Sequence, residues 1–329
     1  MVSVDESRAP VSLADIQAAA ERLEGRVLRT PLLPFPTDPG RPLWLKPESL
    51  QVTGAFKLRG AYNAILPKLD AARAAGVVAH SSGNHARAVA WVARELGIRA
   101  VIVMPDAAPQ VKVEAVRGLG AEVVIVPPHE RDTRAEELSA EHGFVLVRPY
   151  DDPAIVAGQG TVGLEIVQDL PDVDVVLVPV SGGGLIAGVA TAVKSVNPAA
   201  VVVGVEPELA GDAAESFRTG SRVTWTPEQT YRTIADGLRT TSVGEVPWRQ
   251  MQRYVDDVIT VTEDEIRDAV VRVATGCRLV AEPSGAVSTA AYLHHAGRMP
   301  AEGRFVAVVS GGNVAMDAYA AILSGAIDS

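Results

Sequence analysis

Three short turns of small and polar residues are places where this sequence could carry chemistry. Each follows an apolar stretch typical of a strand and opens a segment with helical periodicity; the turns are Ser81-Ser82-Gly83-Asn84-His85, Ser181-Gly182-Gly183-Gly184-Leu185 and Ser310-Gly311-Gly312-Asn313. In open parallel sheets, ligands bind beside the carboxyl ends of the strands. Glycine permits close approach of the backbone, and the free N–H groups at a helix N-terminus attract anions. The three turns together indicate one shared site for an anionic ligand.

The middle turn is open to two interpretations. Gly182 to Ala187 fits the G-x-G-x-x-A pattern of dinucleotide-binding proteins, and Glu206 follows at about the 20-residue distance at which such proteins place a ribose-binding acid. Three consecutive glycines suit a cradle around a single phosphate equally well. This turn therefore predicts either an NAD-binding module or a phosphate cradle.

Lys57 favours the phosphate cradle. It follows a Thr53-Gly54 turn and Phe56, and it opens a segment with helical periodicity. The positive end of a helix dipole disfavours a cation at this position, so a solvated surface role does not explain the lysine well. A lysine near a phosphate cradle is the residue type that forms a Schiff base with pyridoxal phosphate. The combination makes Lys57 the candidate for that bond.

Strands and helices that could position these turns alternate along nearly the whole chain. Strands are predicted at 42–46, 77–80, 99–104, 123–126, 145–147, 175–180, 201–205, 257–261 and 304–310. Helices are predicted at 13–23, 57–75, 84–96, 110–119, 133–142, 154–170, 185–195, 263–275, 284–295 and from the last turn to about 323. Pro67 should split the second helix. The stretch 206–252 is weakly periodic, and we expect it to be irregular.

This alternation predicts an α/β fold with parallel sheets that are covered on both faces. The strands are too many for one small sheet, so we expect two doubly wound open-sheet domains. Residues 1–75 plus 151–329 would form the large cofactor-binding domain, and residues 76–150 would form the small domain.

Composition excludes several classes of protein. Of the 329 residues, 47% are hydrophobic and 21% charged, which excludes a disordered chain. The net charge of −10 argues against nucleic-acid binding, and the single cysteine, Cys277, excludes a disulfide framework within the chain. No apolar run reaches the roughly 18 residues of a membrane helix. Met1 to Glu6 lack the features of a signal peptide, so we expect a cytoplasmic protein without membrane or nucleic-acid partners.

The motifs resemble those of the threonine/serine dehydratase and serine racemase family of fold-type II pyridoxal-phosphate enzymes, whose fold is tryptophan synthase β-like. The matching segments occur in the family's order at 46–51, 53–61, 81–86, 158–161, 179–188, 205–207, 235–239, 282–286 and 310–314. Nine ordered segments are far more specific than one short pattern. The resemblance implies a homodimer that binds pyridoxal 5'-phosphate and acts on a small amino acid.

The resemblance also implies a role for individual residues. Lys57 would carry the cofactor and take the Cα proton, Phe56 would pack beside the ring, and Asn84 would bond its phenolic oxygen. Ser310 would contact the pyridine nitrogen, and Glu282 would complete the ring contacts. The phosphate would lie on the backbone of Ser181, Gly182, Gly183, Gly184 and Leu185. The substrate would contact Ser81, Ser82, Gly83, Asn84, His85 and Arg134.

A metal site is implied by the same resemblance. Glu206, the carbonyl of Ala210 and Asp212 match the family's divalent-cation site, and such oxygen ligands suit Mg²⁺ or Ca²⁺. By their spacing alone, the two acids would be interpreted as solvated loop residues. The sequence departs from the family pattern at Arg87, where glutamine is frequent, and at Ala315, where aspartate is usual. These departures concern specificity more than the cofactor.

The predicted activity is that of a serine/threonine ammonia-lyase, or dehydratase, which converts a small β-hydroxy amino acid to a 2-oxo acid and ammonia. Racemisation of serine is an alternative at the same site, because Ser82 lies where a second acid/base would act. Hydroxyaspartate is a further candidate substrate for either activity. An NAD-binding protein and a non-enzymatic amino-acid sensor are the alternatives from other classes.

Overall fold

The computed structural model describes residues 10–37 and 40–325. Met1 to Glu6, on which the expectation about a signal peptide rests, lie outside the described residues. The strands are β1 (Leu33–Phe35), β2 (Leu43–Pro47), β3 (Val77–His80), β4 (Ala100–Pro105), β5 (Glu122–Val126), β6 (Val145–Leu146), β7 (Val175–Pro179), β8 (Val201–Pro207), β9 (Asp257–Val261) and β10 (Phe305–Val309).

The helices are α1 (Leu13–Leu23), α2 (Lys57–Ile65), α3 (Leu69–Ala75), α4 (Asn84–Leu96), α5 (Gln110–Arg117), α6 (Arg131–His142), α7 (Pro153–Asp169), α8 (Gly184–Val196), α9 (Asp212–Thr219), α10 (Pro227–Thr230), α11 (Glu245–Tyr254), α12 (Glu263–Cys277), α13 (Pro283–His294) and α14 (Met316–Ser324).

The strands form two open sheets. One has six strands in the order β1-β2-β10-β7-β8-β9, and its neighbours are parallel except for the antiparallel pair β1 and β2. The other has four parallel strands in the order β5-β4-β3-β6. The prediction of an α/β fold with two open sheets is confirmed. All strands of the smaller sheet come from residues 76–150, while the proposed domain boundaries themselves stay a prediction.

Helices cover both faces of the six-stranded sheet, which explains its continuous apolar strands. Every residue of β7 and β10 is buried. On one face, side chains of α7 and α8 such as Val162 and Ile186 pack on the sheet, and on the other face α12 and α13 contribute Val270 and Val287. Because the central strands are buried on both faces, they carry apolar residues, mostly valine, at successive positions.

Some predicted elements differ from the observed ones. The helix predicted at 57–75 is divided as expected, since α2 ends at Ile65 and a 3₁₀ turn containing Pro67 precedes α3. The stretch 206–252 is more regular than expected, because it contains α9, α10 and α11. Each of these helices begins just after a Gly or Thr. Pro227 occupies the first position of α10, where a backbone N–H would make no hydrogen bond within the helix, so proline costs nothing there. Across the described part of the chain, no helix has both the length and the apolarity needed to cross a membrane.

A cluster of charged side chains is buried beneath α2. Lys46, Glu48, Arg59 and Glu165 form this buried ion network. Arg59 donates from Nε and Nη2 to the two oxygens of Glu48, each at 2.8 Å, and from Nη1 to Glu165 Oε1 at 2.7 Å. Lys46 Nζ lies 2.6 Å from Glu165 Oε2. The network ties α2 to β2 and α7, and it thereby holds the first residue of α2, Lys57, in place.

Candidate active site

The first and third glycine-containing turns meet directly. Asn84, the first residue of α4, receives a hydrogen bond from Asn313 Nδ2 at 2.7 Å on its Oδ1 atom. Its own Nδ2 donates to Glu282 Oε1 at 2.6 Å, and the backbone N–H of Glu282 donates to the carbonyl of Gly311 at 3.1 Å. The carboxyl ends of β3 and β10, from different sheets, therefore face one another across a polar junction.

Lys57 lies between the third turn and the segment that precedes α7. Its Nζ donates to the carbonyl of Pro149 at 2.8 Å and stands 5.1 Å from the centroid of the Phe56 ring. The N–H of Phe56 donates to the carbonyl of Ser310 at 3.1 Å. Burial lowers the pKa of Lys57 to about 8, because the charged form is poorly solvated there. At neutral to mildly basic pH a useful fraction of this amine is therefore uncharged and nucleophilic.

The second turn has the backbone shape of an anion cradle. Gly183 adopts φ +85°, a left-handed conformation that favours glycine, and α8 begins at the next residue. A Cβ atom on Gly182 would lie 2.3 Å from the Tyr150 ring, so that position admits no side chain. Ser181 Oγ lies 2.7 Å from Thr240 Oγ1, and Leu185 is buried. The turn places N–H groups at the N-terminus of α8, and its three glycines contribute no side chains of their own.

Glu282 is a buried acid whose charge depends on its neighbours. Burial raises its pKa to about 7, and nearby Asp236 acts in the same direction, while the hydrogen bond from Asn84 opposes both. Asp236 is itself paired with Lys112 on α5 at 2.6 Å. Ser310 is also buried, and its Oγ lies 3.4 Å from the carbonyl of Ser284 in α13.

The residues expected to hold the substrate differ in how the structure places them. Gly83, which is exposed, is the N-cap of α4 without a side-chain hydrogen bond, and its N–H donates to Ser81 Oγ at 3.1 Å. Ser82 therefore does not cap this helix. His85 is buried and its Nε2 lies 2.9 Å from the carbonyl of Val147, to which it must donate. Burial and nearby Lys57 lower the pKa of His85 to about 3, so this ring is neutral.

Arg134 lies apart from this group of residues. It stands on α6 and pairs with Glu137 at 2.9 Å and Glu141 at 3.2 Å on the outer side of the helix. Its predicted contact with the substrate stays a prediction. Arg131, one turn earlier on α6, pairs with its neighbour Asp132 at 3.2 Å.

Glu206 and Asp212, which we call the acid pair, are both buried. Glu206 Oε2 accepts the N–H of Ala214 at 2.8 Å, whereas Glu206 Oε1 and Asp212 Oδ2 have no hydrogen-bond partner among the described residues. Burial and the neighbouring Asp212 raise the pKa of Glu206 well above its usual value, and burial raises that of Asp212 to about 7. No group of three or more His, Cys, Asp or Glu side chains suited to a metal occurs in the part of the chain that the structure describes. Ala210, the expected carbonyl ligand, is also buried.

Tyr150 and Asn313 are central residues that sequence reasoning missed as site residues. The Tyr150 ring covers Gly182. Burial, and to a lesser extent the negative charge of Asp132, raises the pKa of Tyr150 to about 12. Asn313 joins Asn84 to the third turn. Asn313 is the last residue of the third turn, so the motif that predicts a ligand site there also indicates this asparagine. Tyr150 follows no motif that points to a ligand. The dinucleotide interpretation loses its acid, because Glu206 is fully buried in the acid pair and is not free to contact a ribose.

Comparison with known proteins agrees with this geometry. The family model described as pyridoxal-phosphate dependent enzyme matches residues 23–311. The L-threonine ammonia-lyase of Thermotoga maritima is 43% identical over 312 residues, which cover 92% of this chain and 76% of that protein. The catabolic L-threonine dehydratase of Escherichia coli K12 is 41% identical over 313 residues, covering 93% of this chain and 94% of that protein.

A solved structure is also similar to this chain. Maize serine racemase is 36% identical to this chain and superposes with a TM-score of 0.89, covering 97% of this chain and 98% of that one. The resemblance predicted from the ordered motifs is confirmed. Since the family model spans far more than half of the sequence, the chain belongs to the pyridoxal-phosphate dependent enzyme family.

Proposed function

We propose that this chain is a pyridoxal-phosphate dependent ammonia-lyase that converts L-threonine or L-serine to a 2-oxo acid and ammonia. The observation that carries the proposal is Lys57, a half-buried residue beside Phe56 whose amine has its pKa lowered to about 8 by burial. The relatives described as threonine ammonia-lyase and threonine dehydratase support the choice of reaction. Threonine and serine are the simplest amino acids with the β-hydroxyl group that this elimination removes.

The residues present fit the cofactor. The glycine turn leaves N–H groups at the start of α8 for a phosphate, and the Lys57 amine lacks the charge compensation that the buried ion network gives Arg59. Phe56 would lie beside the ring, Asn84 and Glu282 at its phenolic oxygen, and Ser310 at its nitrogen. When bound, pyridoxal phosphate supplies an aldehyde that joins to amines and a ring that withdraws electrons from the substrate Cα.

Protons are handled by the chain's own groups. With its pKa near 8, Lys57 Nζ can be neutral at working pH and accept the proton from the substrate Cα. Ser310 offers a neutral hydroxyl instead of a carboxylate, which does not favour protonation of the pyridine nitrogen and suits rapid elimination. The turn from Ser81 to His85 would bind the substrate carboxylate. One water leaves in the elimination and one is consumed in the final hydrolysis, so the net products are the 2-oxo acid and ammonia.

Substitution of Lys57 tests the proposal. Lys57→Ala should remove both the covalent anchor and the base, and lower turnover of L-threonine by at least about 10⁴-fold. The visible absorption band of lysine-linked cofactor, which borohydride abolishes in the native enzyme, should be missing. Lys68→Ala, at an exposed lysine in the turn before α3, is the matched control and should behave as wild type. Substantial turnover by Lys57→Ala would contradict the assignment.

Racemisation is the second candidate, and Ser82 is the observation that favours it. Ser82 does not cap α4, so its hydroxyl is available for another role. Elimination needs a base on one face of the substrate only, whereas racemisation needs a second proton donor on the opposite face. The similarity to maize serine racemase is consistent with this activity.

The experiment on Ser82 compares both activities in one variant. Ser82→Ala should keep dehydration of L-serine within about tenfold of wild type, a barrier change of about 1.4 kcal/mol. Formation of D-serine and dehydration of D-serine should fall much further. If all activities fall in proportion, Ser82 has no face-specific role and the racemase candidate loses its residue.

Four further features belong to the proposal. The acid pair with the Ala210 carbonyl would bind Mg²⁺ or Ca²⁺, since its two unpartnered oxygens suit a hard cation. The chain would form a homodimer, and none of the residues in the apolar helix α14 is buried within one copy. The protein would work in the cytoplasm, with residues 1–75 plus 151–329 and residues 76–150 as its two domains. Sedimentation would test the dimer.

A further inference from the structure

Arg87 replaces the glutamine that is frequent in the family motif, and its position is informative. It lies in the first turn of α4, three residues after Asn84, and its side chain is exposed. Its Nη1 donates to Asn313 Oδ1 at 2.9 Å. Asn313 follows β10 in the six-stranded sheet, whereas α4 follows β3 in the four-stranded sheet. The bond therefore crosses between the two sheets at the mouth of the site.

The amide of Asn313 is oriented by two independent partners. Its Nδ2 donates to the carbonyl of Thr53 at 2.8 Å, and its Oδ1 accepts from Arg87. A carbonyl oxygen can only accept and a guanidinium can only donate, so both partners require the same orientation. The remaining bond of Asn313 Nδ2, to Asn84 Oδ1 at 2.7 Å, then has a fixed direction as well.

This direction determines what Asn84 can do. Because Asn84 Oδ1 is occupied as an acceptor, its NH2 group points to the other side, where it donates to Glu282 Oε1 at 2.6 Å. An amide NH2 group carries two hydrogens, so one remains for a second acceptor. The four residues Arg87, Asn313, Asn84 and Glu282 form a donor-to-acceptor chain, which we call the amide relay. The cationic donor at its start strengthens the bonds that follow.

We propose that Arg87 is a positioning residue that acts through Asn313 to hold the Asn84 amide as a donor toward the cofactor ring. The inference rests on the proposed function, in which the second hydrogen of Asn84 bonds the phenolic oxygen of the ring. Arg87 itself contacts neither cofactor nor substrate. Its substitution removes one support of the relay from the solvent side and leaves Asn313, Asn84 and Glu282 in place.

The experiment measures cofactor binding and not only turnover. Apoprotein of the full chain is titrated with pyridoxal phosphate, and the dissociation constant and the visible absorption band are recorded. Arg87→Ala should weaken binding by about fivefold, the equivalent of one hydrogen bond, and shift the band. Arg87→Gln keeps an N–H donor and should recover most of the affinity and the wild-type band. Arg94→Ala removes another exposed arginine of α4, stacked on Trp91, and should match wild type.

A double-substitution cycle separates the relay from a general effect on folding. In the background of Asn313→Ala, Arg87→Ala should cause no further loss of affinity, because the relay is already interrupted. The inference would be overturned if Arg87→Ala lowered cofactor affinity equally in both backgrounds, or if Arg87→Gln bound the cofactor as weakly as Arg87→Ala. In either case, a normal absorption band in the wild-type protein would leave the proposed function intact. A wild-type chain without any lysine-linked band would overturn both.

Discussion

The buried ion network and the acid pair are two clusters of buried carboxylates with opposite electrostatics. Burial alone would raise the pKa of Glu48, but the charge and hydrogen bonds of Arg59 hold it below its usual value. In the acid pair burial also acts to raise the pKa, and Asp212 raises that of Glu206 further. The difference is that the first cluster contains its own cations. A buried acid that the chain does not neutralise indicates a place for a cation from outside.

The largest expected effect concerns the buried ion network. Arg59→Met leaves Glu48 buried with hydrogen bonds from Thr30 and Gln51 but without the cation that contacts both its oxygens, and the free energy of unfolding should fall by about 3–5 kcal/mol. Urea unfolding of the holoenzyme measures this loss. Arg99→Met is the matched control, since Arg99 makes the same two-bond contact with Glu122, at 2.6 and 2.9 Å, on the surface. Arg99→Met should lower the free energy of unfolding several times less than Arg59→Met. If the two variants lost similar amounts of stability, burial would not explain the effect of Arg59→Met.

The next effect concerns the cation that we propose for the acid pair. Mg²⁺ or Ca²⁺ should stabilise the wild-type protein by about 2.7 kcal/mol at a concentration 100 times the dissociation constant, because it binds only the folded state. EDTA should reverse the change. Glu206→Gln should abolish the response, whereas Glu208→Gln, at an exposed glutamate nearby, should retain it. A response that persists in Glu206→Gln would place the cation elsewhere.

The smallest effect concerns pH in metal-free protein. The folded pKa of Asp212, about 7, lies above its unfolded value, so the unfolded chain loses its proton first as pH rises. Stability contributed by this group is present below about pH 4 and is lost as pH rises toward 7.

Asp212→Asn removes that titration. At pH 8 without metal, the free energy of unfolding of the variant should exceed that of wild type by about 1–2 kcal/mol. This is less than the value of about 1.4 kcal/mol per pKa unit that proton linkage alone would give, because relaxation and water entry reduce the cost of the buried charge. At pH 4 the difference should nearly disappear. Denaturation curves at both pH values, with EDTA present, provide the measurement; a difference that does not depend on pH would show that Asp212 does not titrate in this range.

The sequence predicted best what local patterns determine. The strands Val77–His80 and Asp257–Val261 and the helix Asn84–Leu96 have the predicted limits, because apolar continuity and small turn residues define them. The antiparallel strand β1 escaped notice because it has only three residues and contains Pro34. Helix α11 was missed because its buried face is assembled from Val246, Trp248 and Met251 amid polar residues.

Site residues that depend on tertiary contacts were harder to predict. Ordered motifs pointed to Lys57, Asn84 and the glycine turn, and their proposed roles await the experiments above. Nothing local marks Tyr150, whose importance comes from the ring that it places over Gly182. For Arg134 the outcome depends on the direction of α6, because the helix places this side chain beside Glu137 and Glu141.

The buried ion network also has a consequence for the order in which the chain folds. Arg59 and Glu165 are 106 positions apart, and Lys46 and Glu165 are 119 apart. A partly assembled cluster would leave a charged side chain unpaired in an apolar interior. Intermediates that contain only some members of the network are therefore disfavoured. Helices α2 and α7 should therefore dock onto β2 in one cooperative step, late on the pathway, since closing such long loops is slow. Lys57, at the start of α2, would reach its final position only when that step is complete.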